Sequence, residues 1–200
     1  MLLVVLITLS ANVANAQVWF ETQGDSSALV DSSGPLTPYL FTEFAQFSEG
    51  LCWVNLGELY GYIDTTGQPL TPYIFTDVAS FKNGYAVVST DSTFRYINDK
   101  GAFLSSMELN RALPFTKYGL AAVQNDSLWG VMDTSGNLVV PCKYEFVPRI
   151  LSAHFIAVGS TNKWGVVDSD NKVRYPFIYD LITSEGVGYT GNIKHYLGLL

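Results

Sequence analysis

The 200 residues are 48% hydrophobic and 14% aromatic but only 14% charged, against roughly 25% charged in an ordinary globular chain. Such a composition excludes a disordered chain, which needs low hydrophobicity and high charge. The 11 basic and 18 acidic residues give a net charge of −7, which repels phosphate and argues against a nucleic-acid partner.

The first predicted element is a leader. Met1 to Val13 carries no charge and contains the run Leu2-Leu3-Val4-Val5-Leu6-Ile7. Ala14-Asn15-Ala16 follows, the small-x-small pattern that signal peptidase reads. This predicts a secretory signal over residues 1–16, cleaved before Gln17, and export to the periplasm, the cell surface or the medium. A membrane anchor needs about 20 apolar residues, and Ser10, Asn12 and Asn15 interrupt the run too early. No later segment is apolar enough for a transmembrane span. No Lys or Arg precedes Leu2, as a signal normally requires, which suggests a start further upstream. Gln17 stands where a lipoprotein would carry Cys.

From there to residue 200 the chain repeats, and internal repeats decide the reading of a fold. A short block ending in Asp or Asn recurs at Asp31, Asp64, Asn98, Asp133 and Asp168, with steps of 33, 34, 35 and 35 residues. Three residues after each stands Gly34, Gly67, Gly101 or Gly136, with Asn171 in the fifth copy. Pro38, Pro72, Pro141 and Pro176 come next, and Ser106 holds that place in the third. Upstream lies a second block: Gly50-Leu51-Cys52-Trp53-Val54, Gly84-Tyr85-Ala86-Val87-Val88, Gly119-Leu120-Ala121-Ala122-Val123 and His154-Phe155-Ile156-Ala157-Val158. Phe47, Phe81 and Phe115 precede three of these.

Within a copy, the Leu-Ala-Ala-Val type block reads as a strand. A polar turn such as Gln124-Asn125-Asp126-Ser127 follows, and a second strand runs from Trp129-Gly130 to Asp133. Asp-x-x-Gly then reads as a hairpin loop, because Asp accepts backbone N–H bonds and Gly takes the left-handed conformation at low cost. A third strand follows. In the fourth copy Cys142, Tyr144 and Phe146 alternate with Lys143 and Glu145, a period of two with one wet face. Its Pro suits an edge or a first strand position. The third copy, Ser105 to Asn110, reads as irregular or as a helical turn.

The combination Lys163-Trp164-Gly165-Val166-Val167-Asp168, with Trp129-Gly130-Val131-Met132-Asp133 and the Gly, Pro and aromatic positions around them, resembles the WG (KWG) repeat family over residues 18 to 200. Tyr60 and Phe94 replace Trp in the second and third copies, Ser27-Ala28 replaces Trp-Gly in the first, and Arg95 replaces Gly. The resemblance implies bacterial β-hairpin arrays, often secreted or at the cell surface, and implies no catalytic residues.

Four features invite chemistry. Asp31, Asp64, Asp133 and Asp168 recur at one turn with Gly34, Gly67, Gly101 and Gly136, so they read as structural, because catalysis needs one site and not four. Calcium at Asp168-Ser169-Asp170-Asn171 is disfavoured, since an EF-hand needs Gly sixth and Glu twelfth and Val173 and Tyr179 stand there. His154 and His195 are the only histidines, too few for a multi-histidine zinc site, and no triad or phosphate-loop motif is present. No metal and no cofactor is expected. Cys52 and Cys142 lie almost three copies apart at different repeat positions. If each copy touches only its neighbours, they exceed the roughly 7 Å limit for bridging and stay as two buried free thiols. Tyr60, Phe94, Trp129 and Trp164 share one position, read as an aromatic ladder stacked between units in the core and not as exposed rings for sugar or peptide.

The expected fold is all-β: tandem antiparallel hairpin or three-strand units stacked as an open twisted array over residues 17–200. A closed propeller is the alternative, disfavoured because its blades take about 40 residues and four strands. Tyr196-Leu197-Gly198-Leu199-Leu200 aligns with Lys163 to Val167, which predicts a last hairpin cut at its turn, hence a fragment, or else a shortened capping copy. The expected function is a non-enzymatic exported scaffold for a protein or glycan partner. The alternative is the repeat portion of a larger exported enzyme or receptor. Oligomeric state and ligand identity are not legible.

Overall fold

The computed structural model describes residues 11–13 and 16–198. The leader read over residues 1–16 therefore lies outside the described residues at 1–10 and 14–15. Ala11–Val13 forms a short strand paired with the next one, Ala11 opposite Val18.

Among the described residues there is no helix, and the strands form six antiparallel sheets. Sheet 1 holds β1 (Ala11–Val13), β2 (Ala16–Gln23), β3 (Ser26–Asp31) and β4 (Gly34–Pro35). Sheet 2 holds β5 (Glu43–Phe44), β6 (Leu51–Leu56) and β7 (Leu59–Asp64). Sheet 3 holds β8 (Asp77–Val78), β9 (Tyr85–Thr90) and β10 (Thr93–Asn98). Sheet 4 holds β11 (Arg111–Ala112), β12 (Leu120–Asn125), β13 (Leu128–Asp133) and β14 (Leu138–Tyr144). Sheet 5 holds β15 (Phe146–Ile150), β16 (Phe155–Ser160), β17 (Lys163–Asp168) and β18 (Val173–Tyr179). Sheet 6 holds β19 (Leu181–Ile182), β20 (Val187–Thr190) and β21 (Ile193–Tyr196). Each sheet follows chain order, so every sheet is a meander.

The long pair of each sheet is a hairpin with a two-residue turn. Asp126–Ser127 (φ 46° and 67°) and Thr161–Asn162 (φ 49° and 63°) are left-handed at both positions. That is the type I′ geometry whose twist matches the strands it joins. A register slip between Trp129↔Tyr144 and Val131↔Val140 puts a bulge around Pro141. It falls in the outermost strand of sheet 4, where a missing N–H breaks no ladder.

The chain divides into two compact units, Met1–Ser92 with Ile97–Ala102, and Thr93–Tyr96 with Phe103–Leu200. Inside each unit consecutive sheets pack face to face. In the first, Val18, Phe20 and Leu29 of sheet 1 meet Cys52, Val54 and Ile63 of sheet 2. The alternate residues of sheet 2, Leu51 and Tyr62, meet Ala86, Val88 and Ile97 of sheet 3. In the second, Leu120, Val131 and Val140 meet Ile156, Val158 and Val167. The other face of sheet 5, with Ala157, Trp164 and Val166, meets Ile182 and Leu197. A strand with period two thus buries both of its faces, which gives runs such as Phe155–Ser160 their near-continuous apolar character.

Three expectations change. The strand read through Cys142–Phe146 is two strands: β14 ends at Tyr144 in sheet 4 and β15 begins at Phe146 in sheet 5. The third copy takes the irregular one of its two readings and contains no helical turn; its Phe94↔Leu109 bridge stands where a full strand runs in the fourth and fifth copies. Finally, Tyr196 does not match Lys163. It is the last rung of its hairpin, opposite Val187, the rung that Asp168 holds opposite Phe155. The hairpin has four rungs where the fifth copy has six, so the alignment by sequence slipped.

Candidate functional site

The recurring turn comes first, because it occupies the carboxylates. Asp133 Oδ1 accepts the N–H groups of Ser135 and Asn137, both at 2.9 Å. The Gly136 N–H donates to the Asp133 carbonyl, and the Asp133 N–H to that of Asn137. The same set recurs at Asp64, at Asp168 and, with an amide oxygen, at Asn98. At Asp31 the carboxylate accepts the Ser33 hydroxyl and N–H, with the Gly34 N–H adding to them. Asp168 adds Arg174 Nε at 2.7 Å on its second oxygen. The Lys172 N–H is the main cause, with Arg174 helping and burial opposing, that holds the Asp168 carboxyl below the ordinary aspartate range.

The turn glycines have two duties. Gly67 is left-handed (φ 82°), and a Cβ there would stand 2.7 Å from Thr37 Cγ2 of the preceding copy. Gly101 faces Leu70 and Thr71 in the same way, and Gly136 faces Leu104 and Ser105. Each turn therefore seats on the loop one copy earlier. In the fifth copy Asn171 (φ 58°) holds the position, and its side-chain oxygen accepts the Tyr144 hydroxyl at 3.3 Å.

The glycine after the recurring aromatic has another cause. A Cβ on Gly130 would stand 2.5 Å from the Val140 carbonyl oxygen and 2.8 Å from Cys142 N. The bulged outer strand approaches too closely for a side chain. The aromatic itself is core: Trp129 is 6% exposed and Trp164 8%, while Tyr60 and Phe94 are half-buried. Trp164 meets Phe146 (centroids 5.3 Å) and Tyr60 meets Trp53 (5.6 Å), each a ring of its own sheet, so these contacts run within a sheet and not along the expected ladder between units.

His154 is exposed. His195 Nε2 is hydrogen-bonded to Thr190 Oγ1 at 2.8 Å, and its ring packs edge-on against Tyr179. Both cysteines are free; Cys52 is buried, and burial pushes its thiol up to about 12, whereas Cys142, expected to be buried, is only half-buried. No group of three or more His, Cys, Asp or Glu side chains converges on a metal position among the described residues.

Two clefts open on the second unit. One, of about 460 Å³, is lined by Glu145, Phe146, Val147, Pro148, Arg149 and Trp164. Its cation is engaged: Arg149 lies over the Trp164 ring (4.8 Å) and donates to the Ile182 carbonyl at 2.5 Å. The other, of about 430 Å³, is lined by Lys143, Tyr144, Ser160, Thr161, Val173 and Phe177. It lies between the outer strands β14 and β18 and reaches the β16–β17 turn. Tyr144 and Phe177, both on its wall, stack with centroids 6.0 Å apart and planes 15° from parallel. Lys143 lies over the Tyr144 ring at 5.2 Å and makes no ion pair among the described residues.

Sequence reasoning missed this cleft, since its residues come from two copies. It also missed a sixth marker, Thr42, Thr76, Asn110, Glu145 and Asp180, at steps of 34, 34, 35 and 35. In the last three the side chain accepts an N–H of a hairpin turn: Asp126, Thr161 and Gly191 at 2.8, 3.1 and 2.6 Å. The twice-used pentapeptide Pro-Leu-Thr-Pro-Tyr, at 35–39 and 69–73, was the available signal for the seat under each turn.

The WG containing repeat model matches residues 60–93, 94–129, 129–150 and 164–187. No curated protein sequence matches the chain. Among solved structures it is similar to Kluyveromyces lactis Hsv2, with 15% identity, TM-score 0.42, and 89% of this chain and 70% of that one covered. It is also similar to a eukaryotic initiation factor (12% identity, TM-score 0.48, 86% of this chain and 55% of that one). A third is the N-terminal domain of Nup159 (10% identity, TM-score 0.37, 92% and 67%).

Proposed function

The chain belongs to the WG containing repeat family, and from that premise we propose that it is a non-enzymatic, exported repeat scaffold that binds a protein or glycan partner. One observation carries the reading: the repeat's recurring carboxylates are engaged in turns, whereas the cleft between β14 and β18 offers a ring, hydroxyls and an unpaired cation to the outside. A general acid or base must reach a substrate proton, and Asp168 has both oxygens engaged. Clefts of roughly 300–1,000 Å³ with an apolar wall and a few polar groups are the usual form of a ligand site. Export rests on the leader at residues 1–16, and N-terminal sequencing of the mature protein, expected to begin at Gln17, tests it. Binding is tested by presenting the full chain to immobilised oligosaccharides and peptides. Retention that is lost in a Phe177→Leu variant supports the scaffold reading. Turnover of a bound ligand, or no retention of either class, refutes it.

A further inference from the structure

We propose that the groove between β14 and β18 is a site for an anionic sugar, a uronate-type pyranose, resting on the glycan arm of the reading above. The argument begins with register. The residue paired across from the repeat aromatic is Phe75, Leu109, Tyr144 or Tyr179. The residue just before it faces solvent in each copy: Ile74 is 44% exposed, Ile178 50%, and Glu108 is exposed. In the fourth copy this position carries a cation, Lys143, and it borders a cleft. A departure from the repeat that falls on a cavity wall is not required by the repeat's own packing.

The wall chemistry matches one ligand class. Phe177 is half-buried, lines the groove and stacks on Tyr144, so it offers the groove the exposed part of a ring fixed by packing. A pyranose presents C–H groups to such a ring and hydroxyls around its rim. Ser160 and Thr161, at the turn that ends β16, bring hydroxyls to that rim; the Thr161 hydroxyl donates to the Ser160 carbonyl, leaving its oxygen to accept, while the Thr161 N–H is taken by the Glu145 carboxylate. Lys143 supplies the counter-charge for a carboxylate, in a chain of net charge −7 where a cation on a cleft wall stands out. The neighbouring cleft lacks this option, because Arg149 is held by Trp164 and Ile182.

The test uses the full chain and three probes: trigalacturonate, its neutral methyl ester, and a glutamate-rich decapeptide, each titrated by calorimetry at low ionic strength. The expected result is binding of trigalacturonate at least tenfold tighter than of the ester, a preference removed in Lys143→Gln, with both sugars weakened in Phe177→Leu. Hydrogen bonds to charged groups are worth about tenfold or more each, and added salt weakens an exposed pair. Equal affinity for acid and ester, or no effect of Lys143→Gln, overturns the anionic class while leaving the glycan reading intact. Binding of the peptide alone overturns the sugar site and leaves the protein arm of the scaffold reading. No binding of any probe overturns this inference, and the scaffold reading is judged separately by the broader arrays. Lys143 is exposed and outside the core, so its substitution does not threaten folding.

Discussion

Substituting Gly67 by Ala tests whether the recurring turn is fixed by its own backbone or by the copy before it. Gly67 and Gly84 have nearly the same left-handed φ, 82° and 83°, and lie in the same unit. A Cβ on Gly84 meets nothing within 4 Å, whereas one on Gly67 meets Thr37 Cγ2 at 2.7 Å. Gly84→Ala therefore carries only the left-handed penalty, about 1–2 kcal/mol. Gly67→Ala adds overpacking against a buried side chain, about 1–3 kcal/mol more. Thr37→Ser supplies the control: it removes the offending methyl but keeps the hydroxyl that accepts the Leu29 N–H at 2.9 Å. In the Thr37→Ser background the Gly67→Ala loss should fall to the Gly84→Ala level, a coupling of about 1–3 kcal/mol. Urea unfolding gives the energies, and amide exchange at Leu29 assigns the loss to this seat. Equal losses for Gly67→Ala and Gly84→Ala, or no coupling to Thr37, would show that the turn does not lean on its neighbour.

Other expectations are more local. Asn98 makes the same turn bonds as Asp133, so Asp133→Asn should be nearly neutral and Asp133→Ala should lose about 1 kcal/mol in urea unfolding. Asp168 is held below its ordinary value of 3.8. Its contribution is thus present above that value and lost as pH falls through the depressed one. Asp168→Asn should flatten the acid limb of a melting-temperature profile, and an unchanged limb refutes the assignment. Ser127 sits at φ 67° in a two-residue turn, and Ser127→Gly should stabilise by about 1 kcal/mol, read as a raised melting temperature. Thiol labelling of the denatured, unreduced protein should find both Cys52 and Cys142. In the folded protein Cys52, with its thiol pushed up to about 12, should react far more slowly than half-buried Cys142.

The repeat was legible because its markers are residues whose chemistry is local. Asp64 and Gly67 close a turn with bonds spanning at most four residues, and any reader of turn chemistry finds them. The bulge behind Gly130 was less legible. Glycine there answers to the Val140 carbonyl oxygen, ten residues on and in another strand, and sequence spacing carries no distance. The boundary at Glu145 was invisible for a related reason. Alternation runs on from Cys142 to Phe146, although the strands belong to different sheets, and a period of two does not say which sheet a face meets. The last hairpin misled because Trp-Gly and Leu-Gly look alike, while register is set by the turn, where Gly191 follows Thr190 two rungs early.

The same physics accounts for the low charge and locates the site. A sheet stacked on both sides leaves little room for ions, since an unpaired buried charge is costly. Sheet 5 shows the result: Ile156 and Ala157 point to opposite neighbours and both are fully buried. Charges are left to turns and outer strands, and the three ion pairs of the described residues all involve the fifth copy. On such a surface each exposed position is constrained only weakly by the fold. Ile74, Glu108, Lys143 and Ile178 show that freedom at one register position. Residues that the periodicity does not predict are thus the place to look for specificity, and at Lys143, on the same cleft as Phe177, the proposed sugar site predicts a substitution that changes binding and leaves folding intact.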